Sequence, residues 1–290
     1  MSLVNLAEIL APANSQQYAV GAFDVFSVEM ASGVIRAAEE TKSPVILAYV
    51  EAFDSLVPME SYIAFLRELA KQASVPVCIH LDHATNLGII QRAITSGFSS
   101  VMIDASDKSF EENVETTAKV VDLCKPLGIS VESELGHVAG NEGMYADDTG
   151  VYTEVESAKE FVVRTRVDAL AVAIGTIHGV YKSTPILSFD RCAQIKAATN
   201  QLPLVIHGGS GLSDEDFKKV IAAGINKVNI FTDLTIAALD ALRGSDLSGK
   251  LPYFALGLQV TDAIKQAATA KLQRFGCIGK AARWSNTGAD

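Results

Sequence analysis

The chain has 290 residues and a formal net charge of −10, and hydrophobic residues make up 49% of it. This composition predicts a globular fold with a sizeable core and excludes a disordered chain. The acidic balance argues against nucleic acid or an anionic membrane surface as a partner, because both attract clustered positive charge. No apolar run approaches the roughly 20 residues of a membrane-spanning helix, and the N-terminus shows no secretory signal.

The cysteines at positions 78, 124, 192 and 277 lie far apart, and none belongs to a C-x-x-C pair. This spacing argues against a structural zinc site. Widely spaced cysteines in a chain of this length are typical of buried thiols in a reducing compartment, so we expect a cytoplasmic protein.

Along the chain, short apolar runs rich in β-branched residues alternate with longer segments of helical periodicity. The runs predict eight strands, at 18–23, 45–50, 75–81, 99–103, 129–134, 169–174, 202–206 and 227–231. Helices are predicted between them at 30–40, 58–72, 87–96, 111–125, 156–165, 188–199 and 214–223, and after them at 235–242 and 259–275. Apolar strands alternating with helices are typical of a buried parallel sheet, and eight such units favour a closed (β/α)₈ TIM barrel over an open sheet. We predict one barrel domain over 1–290, with a frayed tail at 281–290.

Polar side chains able to do chemistry follow most of the predicted strands. They are His80, Asp82 and His83 after the third strand, Asp104 after the fourth, Glu132 and Glu134 at the end of the fifth, His178 after the sixth, His207 after the seventh, and Asn229 and Thr232 on the eighth. Barrel enzymes build their active sites at the carboxyl ends of the strands, so we expect these side chains to share one rim.

His83, His178 and His207 come from three different strands of that rim. Any one histidine at a strand end is more often a structural residue than a ligand. Three protein ligands around an open position, however, are how a catalytic Zn²⁺ is held, so the three together predict a metal site. His80 lies deeper in its strand and is predicted to be a core residue or a support for the ligands.

A glycine-rich stretch, Gly208-Gly209-Ser210-Gly211, opens the helix after the seventh strand. Alone it fits a tight turn as well as an anion site. Barrel phosphate sites use the loops after strands 7 and 8, which favours phosphate binding, with Thr232 and Lys182 as candidates to complete it. The loop at 138–151 is rich in glycine and acidic residues, and it is either a plain surface loop or a mobile lid that delivers Glu142 as an acid or base.

With these motifs in view, the chain resembles the class II, metal-dependent ketose-bisphosphate aldolases, which include the fructose- and tagatose-bisphosphate enzymes. The matching stretches begin at His80, Met102, Val131, Ala173, His207 and Val228, keep the order of the family and span nearly the whole chain. The resemblance implies a lyase that reversibly cleaves a ketose 1-phosphate or ketose 1,6-bisphosphate to dihydroxyacetone phosphate and an aldehyde.

The resemblance also implies a role for each matching residue. His83, His178 and His207 hold Zn²⁺, Asp82 is the base for the C4 hydroxyl, Glu142 exchanges the proton on the enediolate carbon, and Asn229 orients the enediolate. Gly179, Lys182, Gly208, Gly209, Ser210 and Thr232 bind the 1-phosphate, while Asp104 and Glu134 stand near an alternative metal position. Another divalent metal and a monovalent cation remain open as cofactors. A sugar phosphate is the expected partner, and a homodimer or homotetramer is the expected assembly.

The chain departs from the family pattern where the far end of the substrate would bind. Many members carry a Pro-Arg pair after the eighth strand, whose arginine grips the distal phosphate, and the best match here is Pro252-Tyr253. The usually Gly- and Ser-rich segment after the second strand contains Glu51 and Asp54, and Asp24 replaces a usual Asn. Added carboxylates and a lost arginine predict a poor second phosphate site, so we expect a ketose 1-phosphate with a hydroxylated far end.

Three alternatives stay open. A Schiff-base aldolase would need a buried lysine at a strand end, for which Lys227 or Lys182 can be nominated, but neither explains three histidines. A metal-dependent hydrolase would often carry His-x-His on the first strand, and none is present. The third is a barrel that binds a sugar phosphate without turning it over.

Overall fold

The computed structural model of the chain describes residues 2–138, 152–179, 185–246 and 251–282. Eight parallel strands form a closed ring in which each pairs with the next along the chain and the last pairs with the first. The predicted (β/α)₈ barrel is confirmed. The strands are β1 (Leu3–Val4), β2 (Val20–Asp24), β3 (Val45–Val50), β4 (Val77–Ala84), β5 (Ser100–Ile103), β6 (Ser130–Leu135), β7 (Ala169–Val172), β8 (Leu204–Ile206) and β9 (Ile225–Ile230).

Helices surround the barrel and follow the predicted order. They are α1 (Leu6–Gln16), α2 (Val28–Thr41), α3 (Met59–Gln72), α4 (Leu87–Ser96), α5 (Phe110–Cys124), α6 (Val155–Thr165), α7 (Phe189–Ala198), α8 (Asp214–Ala222), α9 (Thr232–Arg243) and α10 (Tyr253–Arg274). The strands are buried almost throughout, because helices cover their outer face and side chains fill the barrel interior.

The first two elements were not predicted. β1 pairs with the start of β4, and α1 follows it with Pro12 inside the helix. A proline in a helix interior argues against helix, since it removes one backbone donor and crowds the preceding turn. The capping box of Asn5 with Glu8 closes the N-terminus of α1 and was the signal that could have revealed it.

The C-terminal helix α10 packs against α2, where Gly33 allows the two backbones to approach. A Cβ at Gly33 would lie 2.7 Å from Ile264 Cγ2, so only glycine fits without displacing α10. Beyond α10, Ala281 is buried and its N–H donates to Lys42 O at 2.8 Å. The predicted frayed tail was therefore wrong at Ala281, while residues 283–290 lie outside the described part of the chain.

All four cysteines are buried with free thiols, and burial raises the pKa of each, to about 12 for Cys78. Among the described helices, none combines the length and the apolar character needed to cross a bilayer.

Candidate active site

The carboxyl ends of β4 to β9 bring the predicted site residues together on one rim. On β4 the pairing register with β5 shifts between Leu81 and Ala84, and His83 within this shift adopts a φ of +48°. Such a conformation is costly for a residue with a Cβ and is found where surrounding structure enforces it. The irregularity interrupts the regular ladder at His83, and the imidazole of His83 lies against the two histidines that follow β7 and β8.

The three predicted metal ligands form a compact histidine triad of His83, His178 and His207. One ring nitrogen of each lies within 4.8 Å of the other two. His83 Nε2 and His207 Nδ1 are 2.6 Å apart, and the ring of His178 lies edge-on to both. Sequence positions 83, 178 and 207 are thus neighbours in space, as the closed barrel requires.

The hydrogen bonds of the triad fit a metal ion. His83 Nδ1 lies 2.8 Å from Asp104 Oδ2, and His207 Nε2 lies 3.1 Å from Glu132 Oε1. A carboxylate accepts, so both nitrogens carry the proton, and the lone pairs of His83 Nε2 and His207 Nδ1 face each other. Two lone pairs 2.6 Å apart need a positive charge between them, which a proton or a metal ion can supply.

The pKa values of the triad reflect its electrostatics. Burial would lower the pKa of His83, but Asp82 and Asp104 hold it well above its usual value. Burial and the neighbouring His83 lower the pKa of His207 to about 4, which keeps it neutral, as a ligand must be. His83 and His207 together therefore hold one positive charge in a setting rich in carboxylates.

Asp82, the predicted base, lies fully buried beside the triad. Its Oδ2 accepts from Asn229 Nδ2 at 2.8 Å and lies 3.9 Å from His83 Nε2. Burial would raise its pKa, but His83 and Lys227 hold the pKa of Asp82 well below its usual range. The Asp82 side chain is thus an ionised acceptor next to His83 Nε2, which is the state that a general base requires.

The predicted phosphate site, called the phosphate side below, consists of Gly179, Gly208, Gly209, Ser210 and Thr232 and is built mainly from backbone. A Cβ at Gly208 would lie 2.1 Å from Ile177 O, and a Cβ at Gly209 would lie 2.9 Å from Asn229 O. The loop that carries Gly208 and Gly209 therefore packs so closely against neighbouring backbone that only glycine leaves room for the contact. Thr232 begins α9, whose N-cap has no side-chain hydrogen bond, and its own Oγ1 has no hydrogen-bond partner among the described residues. In the first turn of α9, Asp233 N donates to Ser210 Oγ at 3.4 Å. A helix N-terminus next to close-packed backbone suits an anion.

Asp104 and Glu134 lie behind His83. Their carboxylate oxygens and a nitrogen of His83 are within 4.8 Å of one another. Burial and the charge of Asp104 raise the pKa of Glu134 to about 8, whereas the pKa of Asp104 is lowered by His83 against the effect of burial. One ionised and one readily protonated carboxylate thus support the same imidazole.

Comparisons with known proteins place this geometry in a family. The family model "Fructose-bisphosphate aldolase class-II" matches residues 4–280. YdjI of Escherichia coli K12 is 44% identical over 271 residues, covering 93% of this chain and 96% of the relative. The fructose-bisphosphate aldolase of Geobacillus stearothermophilus is 39% identical over 294 residues, covering 98% and 100%. The crystal structure of the YdjI aldolase superposes with a TM-score of 0.88 at 41% identity, covering 96% of this chain and 99% of that one.

The chain belongs to the class II fructose-bisphosphate aldolase family. It is a lyase of a metal-dependent class, and its clustered histidines could hold the ion.

Lys227 and Glu132 form a buried layer beneath the triad. The sequence alone assigned neither of them a place in the aldolase site. Lys227 Nζ lies 2.8 Å from Glu132 Oε2 and 3.9 Å from Asp82 Oδ1, and all three side chains are fully buried. Burial would raise the pKa of Glu132, but Lys227 and His207 hold it at about 2. Lys227, nominated above for a Schiff base, is thus engaged in an ion pair. One feature of the sequence could have revealed this layer. Polar residues alternate at positions 132 and 134 and at positions 227 and 229, and residues two apart share the inward face of a strand.

His80 completes this layer. Its Nδ1 lies 2.9 Å from Ser100 Oγ and its Nε2 lies 3.5 Å from Asp82 Oδ1. Burial and the nearby Lys227 lower its pKa, so it is a neutral core residue of the kind the sequence predicted.

The part of the barrel mouth where the far end of the substrate is expected lies at the ends of β2 and β3, between β9 and β4. Phe26, Phe53 and Phe231 form a triangle there, with ring centroids 5.1, 5.6 and 6.2 Å apart. Asp24 is buried at the end of β2, and Glu51 Oε2 accepts from Thr85 Oγ1 at 3.5 Å. We define the aldehyde side as these three phenylalanines with Asp24 and Glu51.

Asp54 does not add a free charge to this side, which corrects part of the expectation from sequence. Its two oxygens accept from the two terminal nitrogens of Arg92 at 3.1 Å, and Oδ1 also accepts from Met59 N at 2.9 Å. The guanidinium lowers the pKa of Asp54. Glu142 and Lys182 lie outside the described residues, so the lid and the lysine of the phosphate site remain predictions.

Proposed function

We propose that this aldolase uses Zn²⁺ to cleave a ketose 1-phosphate reversibly, between C3 and C4, into dihydroxyacetone phosphate and an aldehyde. The observation that carries the proposal is the convergence of the histidine triad with the ionised Asp82. Zinc fits three imidazole ligands with an open position. Bound there, it would supply a Lewis acid for the ketone oxygen of the substrate.

The remaining chemistry is assigned to side chains of the chain itself. Asp82 accepts the proton of the C4 hydroxyl as the C3–C4 bond breaks, and the bond from Asn229 holds its carboxylate in place. Asn229 Oδ1 has no hydrogen-bond partner among the described residues, so it is available to orient the hydroxyl groups of the enediolate. Glu142 would exchange the proton on the enediolate carbon. Asp104 and Glu134 would support His83.

The phosphate of the dihydroxyacetone half is placed on the phosphate side. Its binding groups would be Gly179, Gly208, Gly209, Ser210 and Thr232, with Lys182 as the cation. The support is the N-terminus of α9 at Thr232, together with the glycines that let backbone approach an anion.

We further propose that the far end of the substrate carries hydroxyl groups and no phosphate. The aromatic triangle offers apolar faces for the C–H groups of a sugar chain, while Glu51 offers an acceptor for its hydroxyls and Asp24 lies buried nearby at the end of β2. A second phosphate would meet like charge at these carboxylates, and Pro252 and Tyr253 bring no cation to it.

We also propose that the enzyme is cytoplasmic and assembles as a homodimer or homotetramer. Support for assembly comes from exposed apolar side chains on α9 and α10, which include Ile236, Leu239, Phe254 and Leu258. Adjacent exposed apolar residues of this size are typical of protein–protein contact.

The first test measures hydrogen exchange at the hydroxymethyl carbon of dihydroxyacetone phosphate in D₂O by NMR, with and without EDTA. We expect exchange that stops with EDTA and returns with Zn²⁺. Exchange that survives EDTA would instead point to a Schiff-base lysine, and its absence from well-metallated protein would remove the assignment of this substrate half.

The second test compares kcat/KM for fructose 1,6-bisphosphate with that for a panel of ketose 1-phosphates. We expect at least one singly phosphorylated ketose to be the better substrate. If the bisphosphate is cleaved faster than every one of them, the hydroxylated far end is wrong.

A further inference from the structure

The buried layer beneath the histidine triad contains a second cluster with the donor set of a metal site. Atoms of His80, Asp82 and Glu132 lie within 4.8 Å of one another, and all three residues are fully buried. The ammonium group of Lys227 lies among them, 2.8 Å from Glu132 Oε2 and 3.9 Å from Asp82 Oδ1. The cation of this cluster is therefore a lysine of the chain itself.

A continuous chain of contacts runs from this lysine to the triad. Lys227 Nζ donates to Glu132 Oε1 at 2.9 Å, and the same oxygen lies 3.1 Å from His207 Nε2. With Nε2 bound to a carboxylate, the His207 ring is held with Nδ1 toward His83. Glu132 is thus fixed from below by Lys227 and in turn fixes the ring of His207.

We propose that Lys227 is a positioning residue, which acts through Glu132 to fix the tautomer and ring orientation of His207 for metal binding. The inference rests on the proposed function of His207 as a metal ligand. Carboxylates that hold a ligating histidine commonly change metal affinity by about 10–100-fold when removed. The new element of the proposal is Lys227, which lies behind Glu132 and touches neither the metal position nor the phosphate and aldehyde sides.

The test measures the dissociation constant for Zn²⁺ by competition with a chromophoric chelator, using Lys227→Met, Glu132→Gln and the double variant. Loss of a nearby positive charge alone would tighten the binding of a cation. Positioning predicts the opposite, so we expect Lys227→Met to bind Zn²⁺ about 10–100-fold more weakly. Equal or tighter binding by Lys227→Met would overturn the proposal.

The double variant tests whether the lysine acts through the carboxylate. If it does, the double variant is no worse than the weaker of the single variants, because both changes break the same chain of contacts. Fully additive losses would show that Lys227 affects the metal by another route and would overturn the proposed path. Should Lys227→Met fail to fold, Glu132→Gln carries the test, since it keeps shape while removing the charge. Zinc binding by Glu132→Gln equal to that of the unchanged protein would then overturn the proposal.

A second readout is the ¹⁵N NMR spectrum of histidine-labelled, metal-free protein. We expect the His207 signals of the unchanged protein to show protonated Nε2 and unprotonated Nδ1, and Lys227→Met to lose this fixed pattern. The matched control is Lys196→Met, because Lys196 is also a buried lysine but donates to Leu202 O and Asn226 Oδ1, away from the triad. This control should keep both the zinc affinity and the His207 pattern.

The design separates the inference from the function on which it rests. If the unchanged protein binds no divalent metal, the histidine triad as a metal site fails. If it binds Zn²⁺ and Lys227→Met binds Zn²⁺ equally well, only the positioning role fails.

Discussion

The phosphate side and the aldehyde side of the barrel mouth are built from different parts of the chain. On the phosphate side, the proposed binding groups are glycine backbone and the start of α9, and any Cβ at Gly208 would strike Ile177 O at 2.1 Å. On the aldehyde side, the surface is made of side chains, with three phenylalanines and two carboxylates. Backbone groups present the same donors whatever side chain is attached, so one side is fixed by the fold while the other can be altered by single substitutions.

Asp82 stands between the two sides, and its removal gives the largest expected effect. Asp82→Asn keeps the shape of the side chain but removes the base for the C4 hydroxyl. We expect cleavage of the ketose phosphate to fall by about 10²–10⁴-fold, the usual contribution of general base catalysis. Proton exchange of dihydroxyacetone phosphate is assigned to Glu142, with the phosphate side and the metal, and does not need the base for the C4 hydroxyl, so it should fall much less. Both activities are measured on the same preparation, and equal losses in the two would contradict the division of roles.

The second-largest effect is expected from Gly208→Ala, which disrupts the phosphate side. The substitution forces alanine into a φ of +67° and pushes its Cβ against the backbone of Ile177, next to His178. A misplacement of about 1 Å can cost up to about 100-fold, so we expect affinity for dihydroxyacetone phosphate to fall by 10-fold or more. Gly128→Ala is the matched control, because its φ is +70° and nothing lies within 4 Å of the added Cβ. Affinity loss of similar size in both variants would show a general effect of strain.

The same contrast decides how much of the site was predictable from sequence. Residues at strand ends were predictable, because apolar runs reveal the strands and a closed barrel brings their ends together; the triad, Asp82 and the glycines follow from this. The link from Lys227 to Glu132 was not predictable, since the two residues are 95 positions apart and meet only through the barrel register.

On the aldehyde side, the sequence showed the carboxylates but not their partners. The sequence does not show that Asp54 is paired, because its partner Arg92 lies 38 positions away, on α4. The triangle of Phe26, Phe53 and Phe231 also depends on three separate loops, each with a phenylalanine that alone looks like an ordinary apolar residue. Pairings across the barrel are set by register and packing, which local sequence patterns do not contain.

Phe53→Ala tests the aldehyde side, and its expected effect on KM is moderate. An aromatic contact is worth about 0.5–1.5 kcal/mol, so we expect KM for the ketose phosphate to rise by up to roughly 10-fold. Exchange of dihydroxyacetone phosphate should stay unchanged. Phe110→Ala is the matched control, because Phe110 is also partly buried and packs edge-on against the ring of Phe161, at the start of α5 and outside the aromatic triangle. A loss of exchange in Phe53→Ala but not in Phe110→Ala would show that the two sides are not separable.

The smallest expected effect compares two carboxylates on one short segment. Among the residues that the structure describes, Glu51 accepts only a long hydrogen bond from Thr85, whereas Asp54 is held by Arg92 and by Met59 N. Glu51→Gln should raise kcat/KM for fructose 1,6-bisphosphate a few-fold relative to ketose 1-phosphates, because it removes a partly screened repulsion of the second phosphate.

Asp54→Asn should leave that ratio within about twofold and instead lower the free energy of unfolding by about 1 kcal/mol, since it weakens a charge-assisted contact that is partly exposed to solvent. The ratio of the two substrates and a denaturant titration measure both effects. If Asp54→Asn shifts substrate preference as much as Glu51→Gln does, then Asp54 still acts on the substrate despite its bond to Arg92, and the aldehyde side is more acidic than the hydrogen bonds of Asp54 indicate.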